Sequence, residues 1–144
     1  MCSGKINNRG IILKRTTGGK IMKFKMYHSS IDVLDLDKSL EFYNKALGLE
    51  VMREIDTGSD ARRIIYIGTP DNPGCMLELN WYKDRTEPYD LGENPVHQGF
   101  RVDNYDEALK FHQEMGCVTE INDNFGVYFI ADPDGYIMEV VPTR

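Results

Sequence analysis

The fold of this protein is decided by residues 28–51, which read HSSIDVLDLDKSLEFYNKALGLEV. The first six residues predict a strand, and apolar residues then recur at helical spacing from Leu40 to Leu47. Asp37 is the predicted N-cap of this helix, and Gly48 is the residue expected to end it. Three more strand-like runs follow, separated by Gly, Pro and Asn, at residues 49–55, 61–68 and 75–81. The predicted order of elements is therefore β-α-β-β-β.

The second half of the chain repeats this order. A predicted strand and helix are followed by three further strands, at residues 96–102, 104–116, 117–121, 126–131 and 136–141. Aligning His28 with His97 also aligns several later apolar and aromatic positions, which indicates two copies of one supersecondary unit. We therefore predict an α+β fold of two tandem β-α-β-β-β modules, residues 26–82 and 95–142, whose strands form a curved, mainly antiparallel sheet.

Composition sets broad limits on the class of protein. The 144 residues are 41% hydrophobic, which is enough for one packed domain over residues 26–142. Residues 1–25 are basic and without clear periodicity, and we predict a poorly ordered extension there. The net charge of -6 argues against nucleic acid as a partner, and no apolar run is long enough to cross a membrane. Three cysteines without a CxxC pair predict buried thiols in a reducing cytoplasm.

Four polar side chains occupy equivalent positions in the two halves: His28, Glu78, His97 and Glu139. Strand alternation places both histidines and Glu78 on the face opposite the apolar residues, while Glu139 falls among apolar neighbours. Two imidazoles and two carboxylates suit one divalent ion such as Ni²⁺, Co²⁺, Zn²⁺, Mn²⁺ or Fe²⁺. We therefore predict a metal-dependent enzyme. His112, at helical spacing on the second helix, is instead expected to pack against the core.

The sequence resembles the glyoxalase I family of the vicinal oxygen chelate superfamily over about residues 26–142. The resemblance rests on four strings, HSSIDVLDLDKSLEFYNKALGLEV, MLELNW, HQGFRVDN and DPDGYIMEVV. It implies the glyoxalase/bleomycin-resistance/dioxygenase fold, with the strands arranged around a metal cleft. It also implies that the four aligned residues, His28, Glu78, His97 and Glu139, are the ligands of one divalent ion per site, with Ni²⁺ or Co²⁺ favoured and Zn²⁺ possible.

The same resemblance implies a reaction and a partner. The small-molecule substrate would be the hemithioacetal of a 2-oxoaldehyde, methylglyoxal, with glutathione or another thiol, and the product a lactoyl thioester formed through an enediolate. Glu139 would be the principal base, and Glu78 the second carboxylate ligand and the acid or base on the opposite face. His28 and His97 would hold the metal. A homodimer is expected, and the sequence leaves open whether the ligands of one site come from one chain or two.

The chain departs from the family where the thiol is expected to bind. Members typically carry an arginine four residues after the first ligand histidine, and this chain has Asp32 there, with Arg101 at the equivalent position of the second half. We predict Asn80, Arg101 and Asp32 as substrate-binding residues. Two alternatives stay open: another enzyme of the superfamily, such as an epimerase or a dioxygenase, and a non-catalytic protein of this fold that binds a small molecule or drug.

Overall fold

A computed structural model describes residues 25–143, together with two short strands that precede them. These strands, β1 (Thr16–Thr17) and β2 (Lys20–Ile21), pair antiparallel. Apart from these strands and residue 25, the extension predicted for residues 1–25 lies outside the described residues.

The first module has the predicted order of elements. They are β3 (His28–Val33), α1 (Leu36–Leu47), β4 (Glu50–Ile55), β5 (Arg62–Gly68) and β6 (Met76–Tyr82). The sheet has the strand order β3-β6-β5-β4, in which β3 is parallel to β6 and the other neighbours are antiparallel. The parallel pair joins the strand that opens the module to the strand that closes it.

The second module repeats this arrangement. Its elements are β7 (His97–Val102), α2 (Tyr105–Glu114), β8 (Val118–Asn122), β9 (Val127–Ala131) and β10 (Ile137–Pro142). The strand order is β7-β10-β9-β8, again with one parallel pair, between β7 and β10. The α+β prediction of two β-α-β-β-β modules is confirmed, and the eight strands form two separate four-stranded sheets.

The start of α1 differs from the prediction by two residues. Asp35, not Asp37, is the N-cap, and its carboxylate accepts a hydrogen bond from the backbone N–H of Lys38 at 3.1 Å. Asp37 lies in the first turn, where its negative charge interacts favourably with the helix dipole. Gly48 ends the helix as predicted, in a left-handed conformation with φ of 65° that favours glycine.

One hydrophobic core joins the two modules. It contains Leu77 and Leu79 from β6 as well as Met138 and Val140 from β10, together with apolar residues of both helices. Because side chains alternate along a strand, the residues of β6 and β10 that alternate with these four lie on the opposite faces, turned away from this core. Each sheet therefore has one face in the shared core and one face pointing outwards.

Polar contacts across the modules reinforce this core. Asp132, in the turn before β10, accepts a hydrogen bond from the Tyr43 hydroxyl of α1 at 2.7 Å. Asp134 of the same turn accepts one from the backbone N–H of Leu34 at 3.0 Å. The string DPDG is thus more than a turn, because both of its carboxylates bind the first module.

His112 is buried, as predicted for a packing residue. Its Nε2 lies 2.8 Å from the carbonyl oxygen of Ala46, and its Nδ1 lies 2.8 Å from the hydroxyl of Tyr128. Since a carbonyl only accepts, Nε2 carries a proton and donates to Ala46, and Nδ1 shares a hydrogen bond with the Tyr128 hydroxyl. Both ring nitrogens are therefore satisfied, and His112 ties α2 to α1.

The prediction for the cysteines is wrong for Cys75, which is exposed because it lies in the turn before β6 and not within the strand. Cys117 is partly buried, and both thiols are free. Among the described helices, none is long and apolar enough to span a membrane.

Candidate metal centre

The first module brings His28 and Glu78 together on the outward face of its sheet. The register of β3 and β6 pairs Ser30 with Glu78, and His28 shares their face because it lies two residues before Ser30. His28 Nε2 is 3.3 Å from Glu78 Oε2. The Glu78 side chain is only 13% exposed, so its carboxylate is largely withdrawn from water.

The second module brings His97 and Glu139 together in the same way. The register of β7 and β10 pairs Gly99 with Glu139, and His97 lies two residues before Gly99. His97 Nε2 is 3.4 Å from Glu139 Oε2, and the Glu139 side chain is 26% exposed. The repeat seen in the sequence is therefore also a repeat of side-chain geometry.

Each pair has the spacing expected of two ligands of one ion. An imidazole nitrogen and a carboxylate oxygen that are both about 2.1 Å from an ion, at an angle between 90° and 110°, lie roughly 3.0–3.4 Å apart. The two observed separations, 3.3 and 3.4 Å, are within that range. The donor set of neutral imidazole and carboxylate also suits the divalent first-row metals.

The two pairs do not meet within one chain. Over the part of the chain that the structure describes, there is no cluster of three or more histidine, cysteine, aspartate or glutamate side chains that could hold a metal ion. The reason is the packing of the modules, since each pair lies on the face of its sheet that points away from the shared core. A single chain thus carries two half-sites.

Glu78 is held by three hydrogen-bond donors in addition to its contact with His28. Its Oε1 accepts from the Ser30 hydroxyl at 2.9 Å and from Asn80 Nδ2 at 2.9 Å, and its Oε2 accepts from the Tyr66 hydroxyl. Burial alone would raise the pKa of Glu78, but the hydrogen bonds from Tyr66, Asn80 and Ser30 outweigh it and the pKa lies below its usual value. The carboxylate is therefore ionised and fixed in orientation.

Glu139 has none of these donors. The position that corresponds to Ser30 is Gly99, the residue paired with Glu139 across the strands is Phe129, and the position two residues after Glu139 is Val141. Among the described residues, its only polar side-chain contact is with His97. The two carboxylates are therefore alike in placement and unlike in their surroundings.

The residues predicted to bind substrate have different surroundings. Asn80 is buried, and all its polar groups are in use, because Nδ2 donates to Ser30 and Glu78 while Oδ1 accepts from Arg62 at 2.6 Å. Asp32 is partly exposed on the face that carries His28, and Arg101 is exposed on the face that carries His97.

Sequence reasoning missed Ser30 and Tyr66 as functional residues. Strand alternation in the sequence already places Ser30 on the same face as His28. This alternation is the signal from which a contact between Ser30 and the site could have been predicted. Tyr66 contacts Glu78 because β5 pairs with β6 in a register that sets these two residues opposite each other. The alternation of side chains within each strand does not by itself set that register, because it leaves open which residues of the two strands lie opposite each other.

Comparison with known proteins identifies the family of this chain. Residues 25–140 match the sequence profile of the family described as Glyoxalase/Bleomycin resistance protein/Dioxygenase superfamily. The lactoylglutathione lyase of Escherichia coli O157:H7 is 32% identical over 129 residues, which cover 83% of this chain and 93% of the relative. The probable lactoylglutathione lyase of Synechocystis sp. is 32% identical over 127 residues, which cover 82% of this chain and 95% of that protein.

A solved structure shows the same fold. The glyoxalase I of Leishmania major, described as trypanothione-dependent, superposes with a TM-score of 0.74 at 28% sequence identity. The superposition covers 83% of this chain and 87% of the Leishmania chain. Both β-α-β-β-β modules are thus present in a chain of nearly equal length.

Proposed function

This chain belongs to the Glyoxalase/Bleomycin resistance protein/Dioxygenase superfamily, and from that premise we propose that it is an enzyme of the lactoylglutathione lyase type. Its substrate would be the hemithioacetal of methylglyoxal and a thiol, and its product the lactoyl thioester. The observation that carries the proposal is the repeated histidine–glutamate pair, with the same spacing in both modules. The two curated relatives named lactoylglutathione lyase support it.

We propose that the complete centre forms between two copies of the chain. If module one of one chain faces module two of the other, a two-fold axis completes two centres, each with four ligands. Apolar side chains stand exposed beside both half-sites, Met26 at 86% and Val96 at 68%, and contact with a second copy would cover them. The buried Nδ1 of His28 also has no hydrogen-bond partner among the described residues.

The four side chains then have different roles in the proposed reaction. A divalent ion held by them would supply positive charge that stabilises the negative charge developing on the oxygens of the adduct as a C–H proton leaves. Glu139 removes the proton from the carbon that bears sulfur and returns it to the adjacent carbon, while the hydroxyl proton of the adduct moves to the neighbouring oxygen. The product is an isomer of the adduct, so atoms and electrons balance without a further reactant. His28 and His97 hold the ion and transfer no proton.

The thiol is the part of the substrate that the site specifies least. Asp32 lies on the face that carries His28 and disfavours a carboxylate beside it, whereas Arg101 on the second module favours one. Glutathione is the first thiol to assay, and trypanothione, which the description of the Leishmania enzyme names, is the second. The free thiols of Cys75 and Cys117 suit the reducing cytoplasm, where we place the reaction.

Metal loading and turnover test the proposed function together. The purified protein, stripped with a chelator and reloaded with Ni²⁺, Co²⁺ or Zn²⁺, is expected to take up one ion per chain and to form thioester from methylglyoxal plus thiol. Ni²⁺ and Co²⁺ are expected to give the highest rates, and the stripped protein none. Metal uptake without thioester from either thiol would contradict the proposed reaction. No metal uptake would favour the non-catalytic binding protein.

Complementation tests whether the centres lie between chains. One variant carries His28→Ala with Glu78→Gln and a second carries His97→Ala with Glu139→Gln, so each alone is expected to be inactive. When the two are unfolded together and refolded in equal amounts, half of the dimers are mixed and each contains one intact centre. The mixture is expected to recover about a quarter of the wild-type activity. No recovery from correctly folded mixed dimers would place all four ligands in one chain.

A further inference from the structure

We propose that Ser30, Tyr66 and Asn80 are positioning residues that hold the carboxylate of Glu78 in place, so that Glu139 is the only carboxylate of the centre free to move. This inference rests on the proposed function and adds a division of labour between the two glutamates. It also replaces the expectation that Glu78 acts as the acid or base on the opposite face.

The first argument is the number of hydrogen bonds to Glu78. An ionised carboxylate has about four lone-pair positions, and the three donors occupy three of them. One position remains for an ion. The donors are themselves held, because Asn80 also donates to Ser30 Oγ at 2.8 Å and accepts from Arg62. Rotation of Glu78 would break several hydrogen bonds at once.

The Tyr66 ring is held by two neighbouring side chains. The guanidinium of Arg53 lies 4.5 Å from the ring centroid, and the His28 ring packs edge-on against Tyr66 at 5.2 Å. The hydroxyl therefore points at Glu78 before any ion or substrate arrives. A donor that is fixed in advance loses little side-chain entropy when the centre assembles.

The second argument is the contrast with the other module. Gly99, Phe129 and Val141 occupy the corresponding positions, and none of their side chains can donate a hydrogen bond. A Cβ added at Gly99 would lie 3.8 Å from Glu139 Oε2, an ordinary van der Waals distance. Space for a donor therefore exists beside Glu139, and the chain leaves it empty. The asymmetry lies in the side chains and not in the backbone.

The proton transfer requires at least one carboxylate that can move. The group that carries the proton must reach first one carbon of the adduct and then its neighbour, so its carboxylate must reorient between the two steps. Three donors would oppose that movement in Glu78. Glu139, whose one polar side-chain contact among the described residues is with His97, can make it.

Two matched substitutions test the proposal, because each gives one module the aromatic residue of the other. Tyr66→Phe removes the hydroxyl and keeps the ring that packs on His28. Phe129→Tyr places a hydroxyl opposite Glu139. Phe125→Tyr is the control for Phe129→Tyr, since Phe125 is 71% exposed in the turn before β9. The readouts are metal affinity, by competition with a chromogenic chelator, and kcat and KM at saturating metal.

The proposal predicts opposite results for the two variants. Tyr66→Phe should weaken metal affinity about tenfold or more, as loss of a hydrogen bond to a ligand does, and should affect kcat less. Phe129→Tyr should lower kcat about tenfold or more, with metal affinity unchanged or tighter. Gly99→Ser, which brings a hydroxyl to the same carboxylate, should reproduce the Phe129→Tyr result. Phe125→Tyr should change neither quantity.

The proposal would be overturned if Tyr66→Phe and Phe129→Tyr had equal effects on metal affinity and on kcat. It would also be overturned if neither Phe129→Tyr nor Gly99→Ser lowered kcat. The electronic absorption of bound Co²⁺ checks that each variant still assembles the centre. If the wild-type protein forms no thioester, the proposed function fails. The metal affinities still decide the inference, because Tyr66→Phe must weaken binding while Phe129→Tyr must not.

Discussion

Replacing Glu139 with glutamine is expected to lower kcat by about a thousandfold, within the range that loss of a general base produces. Glutamine has nearly the same shape, and its amide oxygen can still bind an ion, but it cannot accept the proton at neutral pH. Metal affinity should therefore fall much less than kcat. The loss should be greater than that caused by any substitution of a residue that only holds Glu78.

The measurement is kcat for thioester formation, made beside a titration of bound metal. Glu114→Gln is the matched control, because Glu114 is an exposed glutamate of the same module at the end of α2. It should leave kcat and metal content unchanged. A Glu139→Gln protein that binds metal and retains more than about a tenth of the wild-type kcat would rule out Glu139 as the base.

Replacing Asp132 with alanine is expected to lower the free energy of unfolding by about 3 kcal/mol or more, since each buried donor left without its acceptor costs about 1–3 kcal/mol. The Tyr43 hydroxyl, on a residue that is fully buried, would lose its acceptor. The backbone N–H groups of Asp134 and Tyr136, which donate to Asp132 at 3.0 and 2.9 Å, would lose theirs. The loss affects both modules, because Tyr43 belongs to the first.

Urea unfolding followed by circular dichroism measures this loss, with Asp71→Ala as the control. Asp71 is an exposed aspartate in the corresponding turn of the first module, and its replacement should change stability by less than about 0.5 kcal/mol. Asp132→Asn should lie between the two, because the amide oxygen can still accept from the backbone. If Asp132→Ala is as stable as Asp71→Ala, the contact with Tyr43 does not hold the modules together.

Most of the fold could be predicted from the sequence because its signals are local. Helical spacing from Leu40 to Leu47, Gly48 as a helix end, and the repeat of both across the halves predict the elements within a few residues. The sequence predicts Asp37 as the N-cap, whereas the structure shows that it is Asp35. Both are aspartates near the start of the same helix, and only backbone geometry distinguishes them. The string DPDG predicts a turn. It does not predict that its Asp132 binds Tyr43, because these two residues lie far apart in the chain.

The sequence by itself determined the repeat, the α+β order of elements and the faces on which His28, Glu78 and His97 lie, because strand alternation and an internal repeat can be read directly from the order of the residues. Only the tertiary structure decided that Glu139 lies beside His97 and that the two histidine–glutamate pairs point away from a shared core, as two separate candidate half-sites. It alone decided that Glu78 is surrounded by donors and Glu139 is not. Both facts follow from strand register and module packing, which arise from contacts between residues distant in the chain.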